Sequence, residues 1–203
     1  MPTSGWTRTI LRTRDGPKGR LVRQEALADY ILLRFDDGGS LHQLHSTYND
    51  AIADLSEEQL HWRANDNGCP IAFILWHYYR TEDNVIQFVI QRKPTVWLEA
   101  GWDKKFGLDR IAQGTGMSQE DAQALRINSK QDFLTYMDAV AKATDEYLAG
   151  LDDQALEKRT TVKPVGEMPV SNAIGAMCLT HGFTHLGEIQ HLRGLMGLRG
   201  MQI

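Results

Sequence analysis

The sequence predicts an all-α fold, a four-helix bundle with a long irregular connector between the second and third principal helices. Three observations predict it. Four stretches, each of roughly 16–26 residues, repeat apolar side chains at three- and four-residue steps, the spacing of an amphipathic helix. Strand signals are few, and the breaks between stretches are rich in glycine, proline and small polar residues. The chain of 203 residues is long enough for one domain with a sizeable core and too short to require two.

The elements follow in order. Glu25 to Leu33 reads as helical and is broken by "FDDGGS". The first principal helix runs from Ser40, a candidate N-cap, to Leu55, with Leu41, Leu44, Tyr48 and Ile52 on its apolar face. "SEEQLHWRANDNGCP" reads as a polar connector. Pro70 opens the second helix, which continues to Gln91, as suits proline's preference for a first turn. Residues 92–117 are irregular, yet they contain Trp97, Trp102 and Phe106. Aromatic side chains in a long connector pin it to the domain, and such loops often cover sites. "SQEDAQAL" starts with a Ser118/Asp121 capping pattern and reads as a short helix. The third principal helix spans Ser129 to Leu151, with Phe133, Met137, Val140, Ala141 and Leu148 inward. A turn-rich stretch with Pro164, Gly166 and Pro169 leads to the fourth, from Ser171 to Met196. Residues 1–24 form a basic N-terminal arm and residues 25–203 the bundle domain.

Charge narrows the function. Lys and Arg total 22 against 26 Asp and Glu, a net charge of −4, which argues against nucleic acid as a partner. The basic residues Arg8, Arg12, Arg14, Lys18, Arg20 and Arg23 concentrate in the arm, which reads as a solvated or loosely docked leader. The arm lacks the apolar core of a secretory signal, and no apolar run approaches the ~18–20 residues of a membrane span. A cytoplasmic location is the expectation. Cys69 and Cys178 make no close-spaced pair, so neither a disulfide framework nor a thiol-rich zinc cluster is expected.

The histidines carry the chemistry. At ~100° per residue, Ile174, Cys178, His181, His185, Ile189, Leu192 and Met196 share one stripe of the last helix. A lone inward histidine is ordinarily a satisfied core residue. Two stacked in one stripe are harder to accommodate, since each buried ring needs its own partner. Their four-residue spacing suits two imidazoles on one ion. His191 projects about 120° away from His185 on that count. On the second helix, His77 lies in the middle of what reads as another inward stripe, with Pro70, Phe73, Thr81, Asn84 and Phe88, while Ile71, Leu75, Ile86 and Val89 lie opposite. His77, His181 and His185 would make a three-histidine site with an open position.

Other polar groups have open readings. His45 lies near the apolar arc of its helix, as a fourth ligand, a group supporting the ligands, or a pocket-wall or partly exposed residue. His42 and His61 read as surface positions, and Cys178 as a small buried thiol. Glu188, one turn past His185, could orient a ligand, act as a general base, or make a rim salt bridge. Glu82 and Asp83 read as helix-packing or subunit-contact residues.

"IAFILWHYYRTEDNVI" and "HGFTHLGEIQHLRGLMG", with "LSEEQLHWRA" in support, resemble the DinB-like, or YfiT-like, four-helix-bundle superfamily. The likeness covers the chain from about residue 25, leaving residues 92–117 and the arm outside the common pattern. It implies a histidine triad that maps onto His77, His181 and His185, with zinc or nickel as occupant and water completing the shell. It also implies a homodimer, and low-molecular-weight thiol S-transferase activity in characterised members.

Site and resemblance together lead to a metal-dependent enzyme. It would transfer a low-molecular-weight thiol to an electrophilic small molecule, or hydrolyse through metal-activated water, with Glu188 or His45 carrying protons. Two further readings stay open: a non-catalytic metal- or small-molecule-binding stress-response bundle, and histidines that only lend polar specificity to a dimeric core. No phosphate-cradling glycine loop or serine-nucleophile elbow is present.

Overall fold

The computed structural model describes residues 39–200. The expectations for the arm of residues 1–24 and for a helix from Glu25 to Leu33 lie outside the described residues.

Helix α1 spans Gly39–Ala53, and its apolar face of Leu41, Leu44, Tyr48 and Ile52 is buried as the spacing predicts. It starts one residue before Ser40, which is therefore buried in the first turn rather than serving as N-cap. The polar connector that follows is partly helical. Ser56 and Gln59 form a reciprocal capping box (Gln59 N–H to Ser56 Oγ 3.2 Å, Ser56 N–H to Gln59 Oε1 2.9 Å) that starts α2, Glu57–Leu60.

Helix α3, Ile71–Asp83, follows Pro70 and runs on without a break as a π-helical segment, Asn84–Ile90. The connector of residues 92–117 is less irregular than expected, because it holds α4, Val96–Glu99, and α5, Trp102–Phe106. Its aromatic residues do pin it: Trp97, Trp102 and Phe106 interleave with Phe133 and Tyr136. Asp83 ties the connector to α3 by accepting the Val96 and Trp97 amide hydrogens at 2.8 and 2.9 Å. Burial nonetheless pushes the Asp83 carboxyl up to about 6, against these donors and Arg80.

Helix α6, Gln119–Ala124, has the expected Ser118 cap, and α7, Lys130–Ala149, is capped by Ser129. After α8, Asp153–Glu157, the turn-rich stretch folds into a small antiparallel hairpin that the sequence reading lacked. Strands β1, Arg159–Val162, and β2, Gly166–Pro169, pair from Arg159↔Pro169 to Val162↔Gly166. The last helical rod comprises α9, Val170–Ala173, a π-helical segment, Ile174–Thr180, and α10, His181–Leu195.

The four principal rods form one bundle. Helices α1 and α3 occupy opposite corners, each flanked by α7 and α10. Aromatic rings cross the diagonal, with Tyr48 stacked on Tyr78 at 4.8 Å. Two features hold α10 close to its neighbours. At Gly182, an added Cβ would lie 2.5 Å from Leu44 Cδ2 and 2.7 Å from Tyr78 Cε2. At the far end, Arg193 grips both Asp54 carboxylate oxygens at 2.5 and 3.0 Å and the Ala51 carbonyl at 2.7 Å. No helix among the described residues is long and apolar enough to cross a membrane.

Candidate metal centre

His77 projects from the middle of α3, and His181 and His185 from the first two turns of α10. The close approach at Gly182 brings these helix faces together. One ligand atom from each of the three rings lies within 4.8 Å of the others. The Nε2 atoms of His77 and His181 are 3.1 Å apart, and those of His181 and His185 2.9 Å. A tetrahedral shell with metal–nitrogen bonds of ~2.0–2.1 Å sets ligand atoms about 3.3 Å apart, so little adjustment is needed.

Backbone and side-chain acceptors set the tautomers. His77 donates its Nδ1–H to the Gln113 carbonyl, a short contact, and His185 donates its own to Glu188 Oε2 at 2.8 Å. Each Nε2 therefore presents a bare lone pair to the centre, as metal-binding imidazoles do. His181 Nδ1 is buried without an ordinary hydrogen bond, the Met177 carbonyl acting on the ring only weakly. One proton on His181 Nε2 could serve just one neighbour. A single cation satisfies all three lone pairs at once, so the donor set fits a divalent metal ion.

Electrostatics favour the ligating form. Burial, with His185 and His77 adding to it, holds His181 down to about 4. Burial likewise lowers His77, although its bond to the Gln113 carbonyl opposes the shift. Neutral imidazole is the form that binds metal, and both rings are neutral at pH 7. The bond from His185 keeps the Glu188 carboxyl below its usual range, so Glu188 is ionised there.

The side of α3 expected to face inward is in fact its wetter side. Phe73, His77 and Asn84 are half-buried and Phe88 is 54% exposed, although Pro70 and Thr81 of the same stripe are buried; Ile71, Leu75, Ile86 and Val89 opposite are all buried. His77 thus sits at the bundle rim, roofed by the loop through Gln113 and Gly114. An added Cβ on Gly114, whose φ is 91°, would lie 2.8 Å from His77 Nδ1. The connector does reach the site, through this glycine-bearing stretch; its tryptophans pack elsewhere, on α7.

His45 belongs to a different cluster. Expected as a pocket-wall or partly exposed residue, it is buried, and its Nε2–H donates to Glu82 at 2.9 Å. Glu82 has no solvent exposure and also accepts hydrogen bonds from Tyr78 and Thr144. Burial lowers the His45 pKa, but Glu82 outweighs it and the net shift is upward. Glu82 is lowered despite its own burial. The sequence reading missed this pair, although a glutamate on an otherwise apolar helix was the signal for it. His61 is half-buried rather than a surface residue, donating to the Glu57 carbonyl and accepting the Ile127 amide hydrogen. His42 is exposed beside Asp145, and Cys178 is fully buried.

Fold and site together define a helical bundle with a three-histidine centre at its rim whose ligand atoms could hold one metal ion. The profile of the DinB superfamily matches residues 40–189, and the chain belongs to that superfamily. Among solved structures, a conserved protein from Enterococcus faecalis aligns with a TM-score of 0.69 at 17% identity, covering 86% of this chain and 97% of its own. YfiT from Bacillus subtilis, described as a probable metal-dependent hydrolase with an unusual four-helix bundle topology, aligns with a TM-score of 0.55 at 12% identity, covering 92% of this chain and 93% of its own. At these identities the likeness is one of fold. No curated protein matches the sequence.

Proposed function

We propose that the protein is a metal-dependent enzyme whose three-histidine centre activates a small nucleophile against an apolar electrophile. The nucleophile is a low-molecular-weight thiol or water, and zinc or nickel is the proposed occupant. The observation that carries the reading is the convergence of three imidazole Nε2 atoms from two helices. With only neutral imidazoles as ligands, a bound divalent cation keeps its full charge and supplies the Lewis acidity that deprotonates a thiol or water near neutral pH.

The chain's residues do the rest. Gln113 and Glu188 fix the His77 and His185 rings, and Phe73, stacked on His77 with the rings 4° from parallel, provides an apolar wall. Glu188 is ionised with its side chain 51% exposed, so it can accept a proton at the mouth and release it to solvent. Water as nucleophile agrees with the description of YfiT, and thiol transfer with the motif resemblance. A second reading is a metal- or small-molecule-binding stress-response bundle without turnover; in its favour, one Glu188 oxygen is already engaged by His185. The proposal includes a homodimer, for which exposed Phe183 and Leu195 on α10 offer apolar surface.

The test begins with protein purified without a histidine tag. Metal analysis is expected to find a bound divalent ion, and chelator is expected to lower the melting temperature. Loaded wild type and His185→Ala are then assayed with glutathione, mycothiol or bacillithiol plus monochlorobimane, and separately with an activated ester. Conjugation with one thiol, or ester hydrolysis, abolished in the variant, identifies the nucleophile. Rates equal to the uncatalysed controls in every arm would leave the binding reading. No ion, with no chelator effect, would return the histidines to a purely structural role.

A further inference from the structure

A cavity of about 270 Å³ opens one helical turn from the metal centre, between α3, the connector and the hairpin turn. Thr81, four residues after His77, and Met177, four before His181, both line it, as does Gln113, whose carbonyl holds His77. Both π-helical segments border it, through Asn84 and Val85 on one side and Met177 on the other. A π turn is wider than an α turn, and such turns are frequent at functional sites.

One polar group of the lining lacks a partner inside the protein. Helical threonines commonly return their hydroxyl hydrogen to a carbonyl about one turn back. Thr47, Thr135 and Thr184 do so here at 2.8–3.0 Å. Thr81 does not. Its residue is only 8% exposed and its Oγ1 is buried with no hydrogen-bond partner. An unpaired buried hydroxyl costs free energy, and a turn about χ1 that brings it to the cavity wall beside a ligand oxygen would relieve that cost.

Charge and apolar surface narrow the ligand. Lys163, at the hairpin turn, is the one charged side chain in the lining, and no carboxylate lies within ion-pair distance of it among the described residues. Ile111 and Val165 line it from separate loops and are 79% and 58% exposed. They are two of the five large hydrophobic side chains left exposed among the described residues, so apolar surface is concentrated at this mouth. Pockets for drug-sized molecules run about 300–1,000 Å³, which makes this a site for something smaller.

We infer that the cavity is a second small-molecule site, distinct from the three-histidine centre, that takes a small amphipathic carboxylate. The carboxylate lies between the Lys163 ammonium and the Thr81 hydroxyl, and the apolar body covers Met177, Ile111 and Val165. A single cation in the lining matches a monoanion. Asn84 supplies a further amide donor at the rim.

The test uses full-length protein stripped with chelator, so that no probe can bind through a metal ion and the outcome is independent of any catalytic reading. Three probes share one ring and differ in charge: benzoate, benzyl alcohol and benzylamine. Binding is followed by saturation-transfer NMR and titration. Benzoate is expected to bind at least tenfold more tightly than the other two. Lys163→Ala is expected to weaken benzoate about tenfold, and Thr81→Val several-fold, as loss of a hydrogen bond to a charged group implies. His185→Ala is expected to leave benzoate binding unchanged. Equal binding of the three probes, no binding of benzoate, or wild-type affinity in Lys163→Ala would overturn the inference. Lys163 is exposed at a turn, so its variant folds and decides the matter even where Thr81→Val does not.

Discussion

Gly182 is where the bundle and the metal centre depend on the same few ångströms. Replacing it with alanine puts a methyl carbon 2.5 Å from Leu44 Cδ2 and 2.7 and 2.9 Å from Tyr78 Cε2 and Cζ. Ordinary carbon contacts lie near 3.5–4.0 Å, so something must move by the better part of an ångström. Tyr78 cannot easily yield, because its ring is fully buried against Tyr48 and its hydroxyl is bonded to Glu82. Overpacking costs about 1–3 kcal/mol in general, and contacts under 3 Å with two fully buried side chains put this case at about 2–3 kcal/mol. Alanine's better helix propensity offsets about 1 kcal/mol. The net loss is about 1–2 kcal/mol, and at ~2–4 °C per kcal/mol for a domain of this size the melting temperature falls by about 2–8 °C. Gly187 is the internal control: it lies on the same helix, and an added Cβ there meets nothing within 4 Å. Gly187→Ala is therefore expected to raise the melting temperature slightly. Melts of metal-free protein make the comparison. A Gly182→Ala protein that melts with or above the wild type would refute the idea that this glycine sets the distance between α10 and α3.

Other variants separate the remaining parts. Glu188→Gln keeps the hydrogen bond to His185 but removes its charge, and is expected to weaken metal binding about 10–100-fold in a competition titration. Gly114→Ala forces a Cβ against His77 Nδ1 at a positive φ, so metal affinity is expected to fall while the melting temperature of metal-free protein changes less. Glu82→Gln breaks a buried pair and is expected to cost about 3–5 kcal/mol in urea unfolding at pH 5.5. The sign of its pH dependence follows from the two shifts. Glu82 is lowered, so its contribution is complete above 4.5 and is lost as pH falls through the depressed value. His45 is raised, so its contribution is complete below 6.5 and fades as pH rises through the elevated value. The gap between wild type and variant is therefore widest from about pH 4.5 to 6.5, and a gap that grows steadily on acidification would contradict the pairing.

The principal helices were legible because their apolar spacing is unambiguous: Leu41, Leu44, Tyr48 and Ile52 alone locate α1 and its buried face. The capping pattern at Ser118 located α6, and the same logic applied to Ser56 and Gln59 would have found α2. The hairpin was hidden by its brevity, since "RTTV" is too short a run to stand against the prolines beside it. At the centre, the side chains that could bind metal were visible because histidines four apart on a helix advertise their spacing. Gln113 was not, because it acts through its backbone carbonyl, which leaves no mark on residue type. The orientation of His77 was misread for a related reason. A helix apolar almost all round gives no phase, and only the packing partners reveal that the side bearing His77 is the wetter one.

That rim position and the separate fate of His45 share one physical cause. With no acid at the centre, burial pushes His77 and His181 toward neutrality, His181 to about 4, and they keep their lone pairs for a cation. His45, equally a histidine on a bundle helix, faces Glu82 in the dry interior and is shifted the other way. The side chain is the same; the presence or absence of a facing carboxylate decides whether it binds a proton or a metal. Glu188 shows the intermediate case, because it bonds to His185 at Nδ1, the nitrogen that points away from the centre. It can thus orient the ring without competing for Nε2.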